Sequence, residues 1–97
     1  MTHSFSGILW AIPGELAWVF VTLPEHLSMN IRAMPRPPRP GFGSLRVAVS
    51  IGRTSWKTSI FPDSKSGCYL LPLKKAVRVA QRLDVGDTAE ITIEVLE

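Results

Sequence analysis

Residues 88–95 read Thr-Ala-Glu-Ile-Thr-Ile-Glu-Val, with apolar and polar side chains in strict alternation. A period of two sets Ala89, Ile91, Ile93 and Val95 on one face of a strand and Thr88, Glu90, Thr92 and Glu94 on the other. A strand with one dry and one wet face must lay its dry face against something. The rest of the chain therefore has to supply partner strands and a cover for them.

Two more stretches alternate in the same way. Over Ser44–Ile51, Leu45, Val47, Val49 and Ile51 share a face, and Gly52-Arg53 turns the chain. Over Thr54–Phe61, Trp56, Thr58 and Ile60 share a face. Earlier, Phe5–Ile12 is dense in β-formers and stops at the turn signal Pro13-Gly14. Ala17–Leu23 follows at hairpin distance. It is apolar on both faces, with Trp18 and Phe20 opposite Val19, Val21 and Leu23, which suits a strand lying inside a closed barrel or under a helix. Pro62–Gly67 reads as a polar loop and Cys68–Pro72 as a short strand.

Two segments carry helical spacing. Pro24 suits the first turn of a helix, Glu25 complements its positive end, and Leu27, Ile31 and Met34 recur on one face before Pro35 stops it. The second helix is expected over Leu73–Leu83. Leu73, Ala76, Val77, Ala80 and Leu83 form its apolar stripe, and Lys74, Arg78 and Arg82 lie opposite.

The resulting order is β-β-α-β followed by β-β-α-β. Val21–Ala33 aligns with Tyr69–Gln81 on the shared Leu-Pro of Leu23-Pro24 and Leu71-Pro72. Gly43-Ser44 and Gly86-Asp87 precede the two closing strands. Two such units can close each other's sheet edges. The expected fold class is α+β, mainly β: a six-stranded double-split β-barrel with two short helices, built as one domain over residues 1–97. A chain of 97 residues buries about two-thirds of its unfolded surface, enough for one core.

Charge is segregated. Every Lys and Arg lies between Arg32 and Arg82, while Asp84, Asp87, Glu90, Glu94 and Glu97 follow with no base among them. Such a basic middle suits an anionic partner, and neighbouring basic and acidic elements also neutralise each other. Arg46, Arg53, Lys57, Lys74, Lys75, Arg78 and Arg82 are the candidate anion- or partner-binding residues. Pro35, Arg36, Pro38, Arg39 and Pro40 form a second candidate, a stiff polyproline-like loop exposed to partners.

Catalytic chemistry finds no support in the residue types. His3 and His26 are distant in sequence from the single cysteine, Cys68, and no carboxylates cluster. Asp63, Ser64 and Lys65 read as a polar hairpin loop. Gly41-Phe42-Gly43 precedes a strand rather than a helix, so it lacks the context of a dinucleotide loop. No enzyme activity, cofactor or metal is expected. One cysteine allows no internal disulfide and fits a reducing cytoplasm. The first ten residues have no basic start for a signal peptide, and Pro13, Gly14 and Glu15 interrupt the run from Phe5 to Leu23, so no membrane span is expected.

Four motifs, "WVFVTLP", "GFGSLRV", "TSIFPDSKSGCYLLPLKKAVR" and "VGD", closely resemble the domain of unknown function 1905 family over Phe5–Val95. The resemblance implies a double-split β-barrel, the fold of dimeric swapped-hairpin DNA-binding proteins of the AbrB and MazE types, with both halves here in one chain. It implies no activity. Longer relatives continue into a bacteriocin-protection-type segment, for which 97 residues leave no room. The departure is the proline-rich segment at 35–40, where relatives usually have a shorter loop.

The expectation is a non-catalytic binding or interaction module with a protein partner, working as a monomer or weak homodimer. The alternative is a DNA-binding, transcription-regulator-like protein using the basic face of the second helix. Against it, the first half has His26, Leu27 and Asn30 where the second has Lys74, Lys75 and Arg78, so the charge is not repeated. A third reading is a small-molecule carrier with its ligand held near Trp10, Trp18 and Trp56.

Overall fold

A computed structural model describes residues 2–34 and 43–96, with the side chains of residues 15–17 outside the description. The candidate loop residues Pro35, Arg36, Pro38, Arg39 and Pro40 lie outside the described residues. The elements run β1 (Thr2–Ile12), β2 (Glu15–Thr22), α1 (Glu25–Ala33), β3 (Leu45–Ile51), β4 (Thr54–Pro62), β5 (Tyr69–Pro72), α2 (Lys75–Gln81) and β6 (Thr88–Val95). The strands close into a barrel in the order β1-β2-β5-β4-β3-β6, and every neighbouring pair is antiparallel. Closure leaves no terminal strand to template a foreign one. The α+β, mainly β, six-stranded barrel expected from the alternation is the fold.

Two strands bend the barrel closed by changing partner. β1 pairs with β6 from Thr2 to Ile8 and with β2 from Leu9 to Ile12. β4 pairs with β3 from Thr54 to Ile60 and with β5 at Phe61 and Pro62. The barrel order is unchanged when β1, β2 and β3 are exchanged with β4, β5 and β6. The backbone bonds follow the exchange: Leu23 N–H donates to Tyr69 O and Leu73 N–H donates to Val19 O, both at 2.9 Å. Leu23 therefore corresponds to Leu73, not to Leu71. Pro24 is the N-cap of α1, whereas Pro72 ends β5 and Lys74 caps α2. The shared Leu-Pro is displaced by two residues between the halves.

The interior is filled by the alternating residues of each strand, including Leu9, Val21, Val47, Ile60, Leu71 and Ile93, each at most 1% exposed. Removing each such side chain from water stabilises the fold by about 1.5–3 kcal/mol. At Gly7 the walls approach so closely that a methyl group would collide with Val21 Cγ1.

β2 is a strand of the closed barrel, one of the two places its apolar faces suit, and only one of those faces is covered by the core. Val19 and Val21 face the interior, but Trp18 is 55% exposed and Phe20 only half-buried. A barrel has one interior, and among the described residues no helix is laid over the outside of β2.

The helices plug the barrel unequally. α1 buries Leu27, Ser28 and Ile31, with Met34 half-buried against the core. Ser28 Oγ accepts the Tyr69 N–H at 3.1 Å, which satisfies a buried polar pair. Arg32 crosses the Tyr69 ring at 5.5 Å and donates to Gly67 O at 2.8 Å.

α2 is shorter than the spacing predicts, Lys75–Gln81 rather than Leu73–Leu83. Leu73 is still tied to Val19 O as if in the strand. At the other end Arg82 takes the left-handed conformation, φ 54°, and turns the chain away. Val77 is its only buried residue, and Ala76 and Ala80 are exposed, so the five-residue stripe reduces to Val77 flanked by Leu73 and Leu83. Gly86, at φ 97°, then turns the chain into β6, with Gly86 N–H donating to Leu9 O and Leu9 N–H to Asp87 O.

Candidate ligand-binding cleft

Because β5 covers only the last two residues of β4, the earlier part of β4 stands apart from β5. A cleft of about 200 Å³ opens there, lined by Trp18, Val19, Trp56, Lys57, Thr58, Pro72, Leu73 and Lys74. β2 brings Trp18, β4 brings Trp56 and Lys57, and the link from β5 to α2 brings Lys74. Two tryptophans and two lysines thus line one cleft, with no carboxylate among the described lining residues. Lys57 also borders a shallow groove on the outside of the sheet, whose far side holds Glu94. Ala48 stands between them, paired with Lys57 on one side and Glu94 on the other.

The cleft is continuous with an apolar outer face. Phe20 pairs with Trp10 across β1 and with Pro72 across β5. Its ring lies 5.2 Å from that of Trp10 and 6.3 Å from that of Trp18, the latter nearly parallel. Trp10 Nε1–H donates to Thr22 Oγ1 at 2.9 Å, which fixes that indole flat on the sheet. Ile8, Ile12 and Phe61 extend the same face and are 60%, 38% and 44% exposed. The three tryptophans considered together in the sequence are therefore divided: Trp18 and Trp56 share the cleft, and Trp10 lies on the sheet beside it.

The seven basic candidates do not form one patch. Lys57 and Lys74 line the cleft. Lys75, Arg78 and Arg82 line a separate depression of about 300 Å³ with Val79, Leu83 and Asp84. Arg46 points outward from β3 and donates to Ser59 Oγ at 3.4 Å, and Arg53 is exposed in the β3–β4 turn. Arg78 is not the freely solvated cation that its helical position suggests. It is half-buried, and its Nε–H donates back to Leu73 O at 3.1 Å.

Under the exchange of halves the counterpart is a groove of about 550 Å³ lined by Ser6, Gly7, Ile8, Trp10, Thr22, Pro24 and Thr88, which holds one indole and, among the described residues, no lysine or arginine. A further depression of the first half is chemically different again. Where the N-terminal part of β1 stands apart from β2, a cleft of about 480 Å³ is lined by Thr2, His3, Ser4, Phe5, Pro24, His26, Leu27 and Asn30. It carries no Lys, Arg or Trp. His3 Nε2 is buried there without a hydrogen-bond partner, and Asn30 Nδ2 lies 3.3 Å from His26 Nε2.

The remaining polar candidates serve the fold. Asp63 accepts from the Ser66 hydroxyl at 2.8 Å and from the Lys65 and Ser66 backbone N–H groups. The Ser66 hydroxyl bond, seconded by those N–H groups and the Lys65 charge, holds its carboxyl below the usual carboxylate range. Cys68 is a buried free thiol. Among the described residues no three of His, Cys, Asp and Glu are grouped to hold a metal ion, and no helix is long and apolar enough to cross a membrane. Sequence reasoning missed the pairing of Lys57 and Lys74 with two indoles. It also missed the structural roles of Ser28 and Arg32, which no local pattern marks.

No curated protein matches the chain. The family model described as Domain of unknown function (DUF1905) matches residues 5–93, through all six strands and both helices. On that match the chain belongs to the DUF1905 family.

Proposed function

We propose that the protein is a non-catalytic binding module whose contact surface is the aromatic outer face of β1, β2, β5 and β4 together with the cleft it runs into. The carrying observation is Trp18. A tryptophan 55% exposed, beside a half-buried Phe20 and near exposed Ile12 and Phe61, leaves apolar surface in water that a partner would cover. Tryptophan is among the residues most enriched at binding hot spots. The test uses the whole chain as bait, as wild type and as Trp18→Ser/Phe61→Ser. A protein or ligand retained by the first and lost by the second supports the reading. Identical retention by both overturns it.

The second reading is duplex DNA binding, favoured by the gathering of Lys75, Arg78 and Arg82 in one depression. It predicts an affinity whose log–log slope against salt is about −0.9 per phosphate contact. Absence of binding to duplex DNA at low salt would sink it. The tie between Arg78 and Leu73 O and the lack of a matching basic face on α1 both weigh against it.

The partner changes along β1 and β4, and a barrel order that survives exchange of the halves, support the double-split description and an origin in two fused copies. The AbrB- and MazE-type relationship belongs with that proposal. We assign the protein to the cytoplasm on its single free thiol, and to a monomer or weak homodimer because the closed barrel offers no terminal strand for sheet-to-sheet dimerisation.

A further inference from the structure

We infer that the cleft between β4 and the β5–α2 link takes a phosphorylated nucleoside unit, with its base against the indoles of Trp18 and Trp56 and its phosphate at Lys57 and Lys74. The inference rests on the binding-module reading and names the ligand class for one part of that surface.

The lining residues select this class. Indoles offer flat, apolar π-faces that hold a base by stacking without demanding a sequence. A purely apolar ligand would leave Lys57 and Lys74 unused, and a simple anion would leave the tryptophans unused. A ligand that is planar at one end and anionic at the other uses all four. Among the described residues the cleft lining holds no carboxylate to repel a phosphate. On the side of β3, Glu94 is separated from Lys57 by Ala48.

Size narrows the choice further. At about 200 Å³ the cleft falls below the roughly 300–1,000 Å³ of sites that engulf a drug-sized molecule. It suits one base, with sugar and phosphate at the lysine-bearing rim. A free nucleotide and one unit of a single strand share this chemistry.

Lys57 and Lys74 come from separate elements, so their place on one cleft is a property of the barrel rather than of a basic helix. The counterpart groove at β1 and β2 provides an internal control: it has an indole, Trp10, and, among the described residues, no lysine or arginine.

The test is a titration of the full-length chain followed by amide and indole N–H resonances. One arm uses adenosine and uridine monophosphates, another a short single-stranded oligonucleotide, and a third inorganic phosphate. The expected result is movement of the Trp18 and Trp56 indole signals, with Trp10, hydrogen-bonded to Thr22, unmoved. Trp18→Ala should weaken binding at least about fivefold, as loss of a stacking partner does. Lys57→Gln/Lys74→Gln should weaken it and flatten its salt dependence. The same spectra report whether each variant is folded. Tighter binding of the oligonucleotide than of the monophosphates assigns a single strand, and equal binding assigns a free nucleotide.

Unmoved indole signals at millimolar ligand overturn the inference, as does inorganic phosphate reproducing the same shifts. So do shifts confined to Lys75, Arg78 and Arg82. If the titrations are flat but the Trp18→Ser/Phe61→Ser bait still loses a retained species, only the ligand class falls. If both are flat, the binding-module reading falls with it.

Discussion

The two helices hold equivalent places in the barrel and do different work. α1 is fastened from several sides: Ile31 is fully buried, Ser28 bonds the backbone of β5, and Arg32 spans Tyr69 to reach Gly67. α2 buries Val77 alone and is held at its far end by Gln81 Nε2–H donating to Thr54 Oγ1 at 2.8 Å. The tightly held helix carries one cation, Arg32, used in packing. The lightly held one, with its cap, carries Lys74, Lys75, Arg78 and Arg82. The difference teaches that duplication of a fold need not duplicate its surface. The first half carries the exposed indole of Trp18, and the second carries the cations around α2.

This contrast is most directly broken by cutting into α1. Ile31→Ala removes a fully buried side chain and should cost about 2–5 kcal/mol in denaturant unfolding. Ala76→Ser on exposed α2 should change stability by less than about 0.5 kcal/mol, and an equal loss from the two would erase the distinction. Ser28→Ala leaves the Tyr69 N–H without its acceptor and should cost about 1–3 kcal/mol, with faster hydrogen exchange at that amide. Unchanged exchange would show that water replaces the hydroxyl.

Smaller effects sharpen the comparison from the α2 side. Arg82 is the single non-glycine residue with positive φ among the described residues. Arg82→Gly should raise stability by up to about 1 kcal/mol, because glycine adopts that conformation without a Cβ clash. A loss instead would mean that the arginine side chain holds the end of α2.

The smallest effect is a pH response at the loop held by Arg32. The folded Asp63 carboxyl is depressed by the Ser66 hydroxyl bond. Its contribution is present above the ordinary carboxylate value and is lost as pH falls through the lower folded one. Acid should therefore loosen the loop at 63–67, seen as rising amide exchange of Ser66 and Gly67. Asp63→Asn should remove that pH dependence.

Much of the fold was written in residue order. Thr88–Val95 alternates because β6 has one face inside a barrel, and its bounds follow directly. The bounds of α2 do not, because two influences outside helical spacing set them. Leu73 is held by β2, and Arg82 accepts a backbone conformation that no pattern announces. β2 was legible as a barrel strand but not as a surface: nothing local separates the covered face of Val19 and Val21 from the face of Trp18 and Phe20. The cleft was illegible for a simpler reason. Trp18, Trp56 and Lys74 belong to three segments that meet only because β4 leaves β5 after two residues of pairing.

The pairing of Thr2 with Glu94 has a consequence for how the barrel assembles. β1 cannot complete its longer ladder until β6 exists, so a chain emerging from the ribosome must wait for its final strand before the ring can close. Until then β1 and β3 each show a bare edge, and Phe5 and Leu9 lack their cover. Such distant pairing makes for slow folding. Until β6 is in place, the seam between β1 and β3 is an open edge of the kind that pairs with other chains.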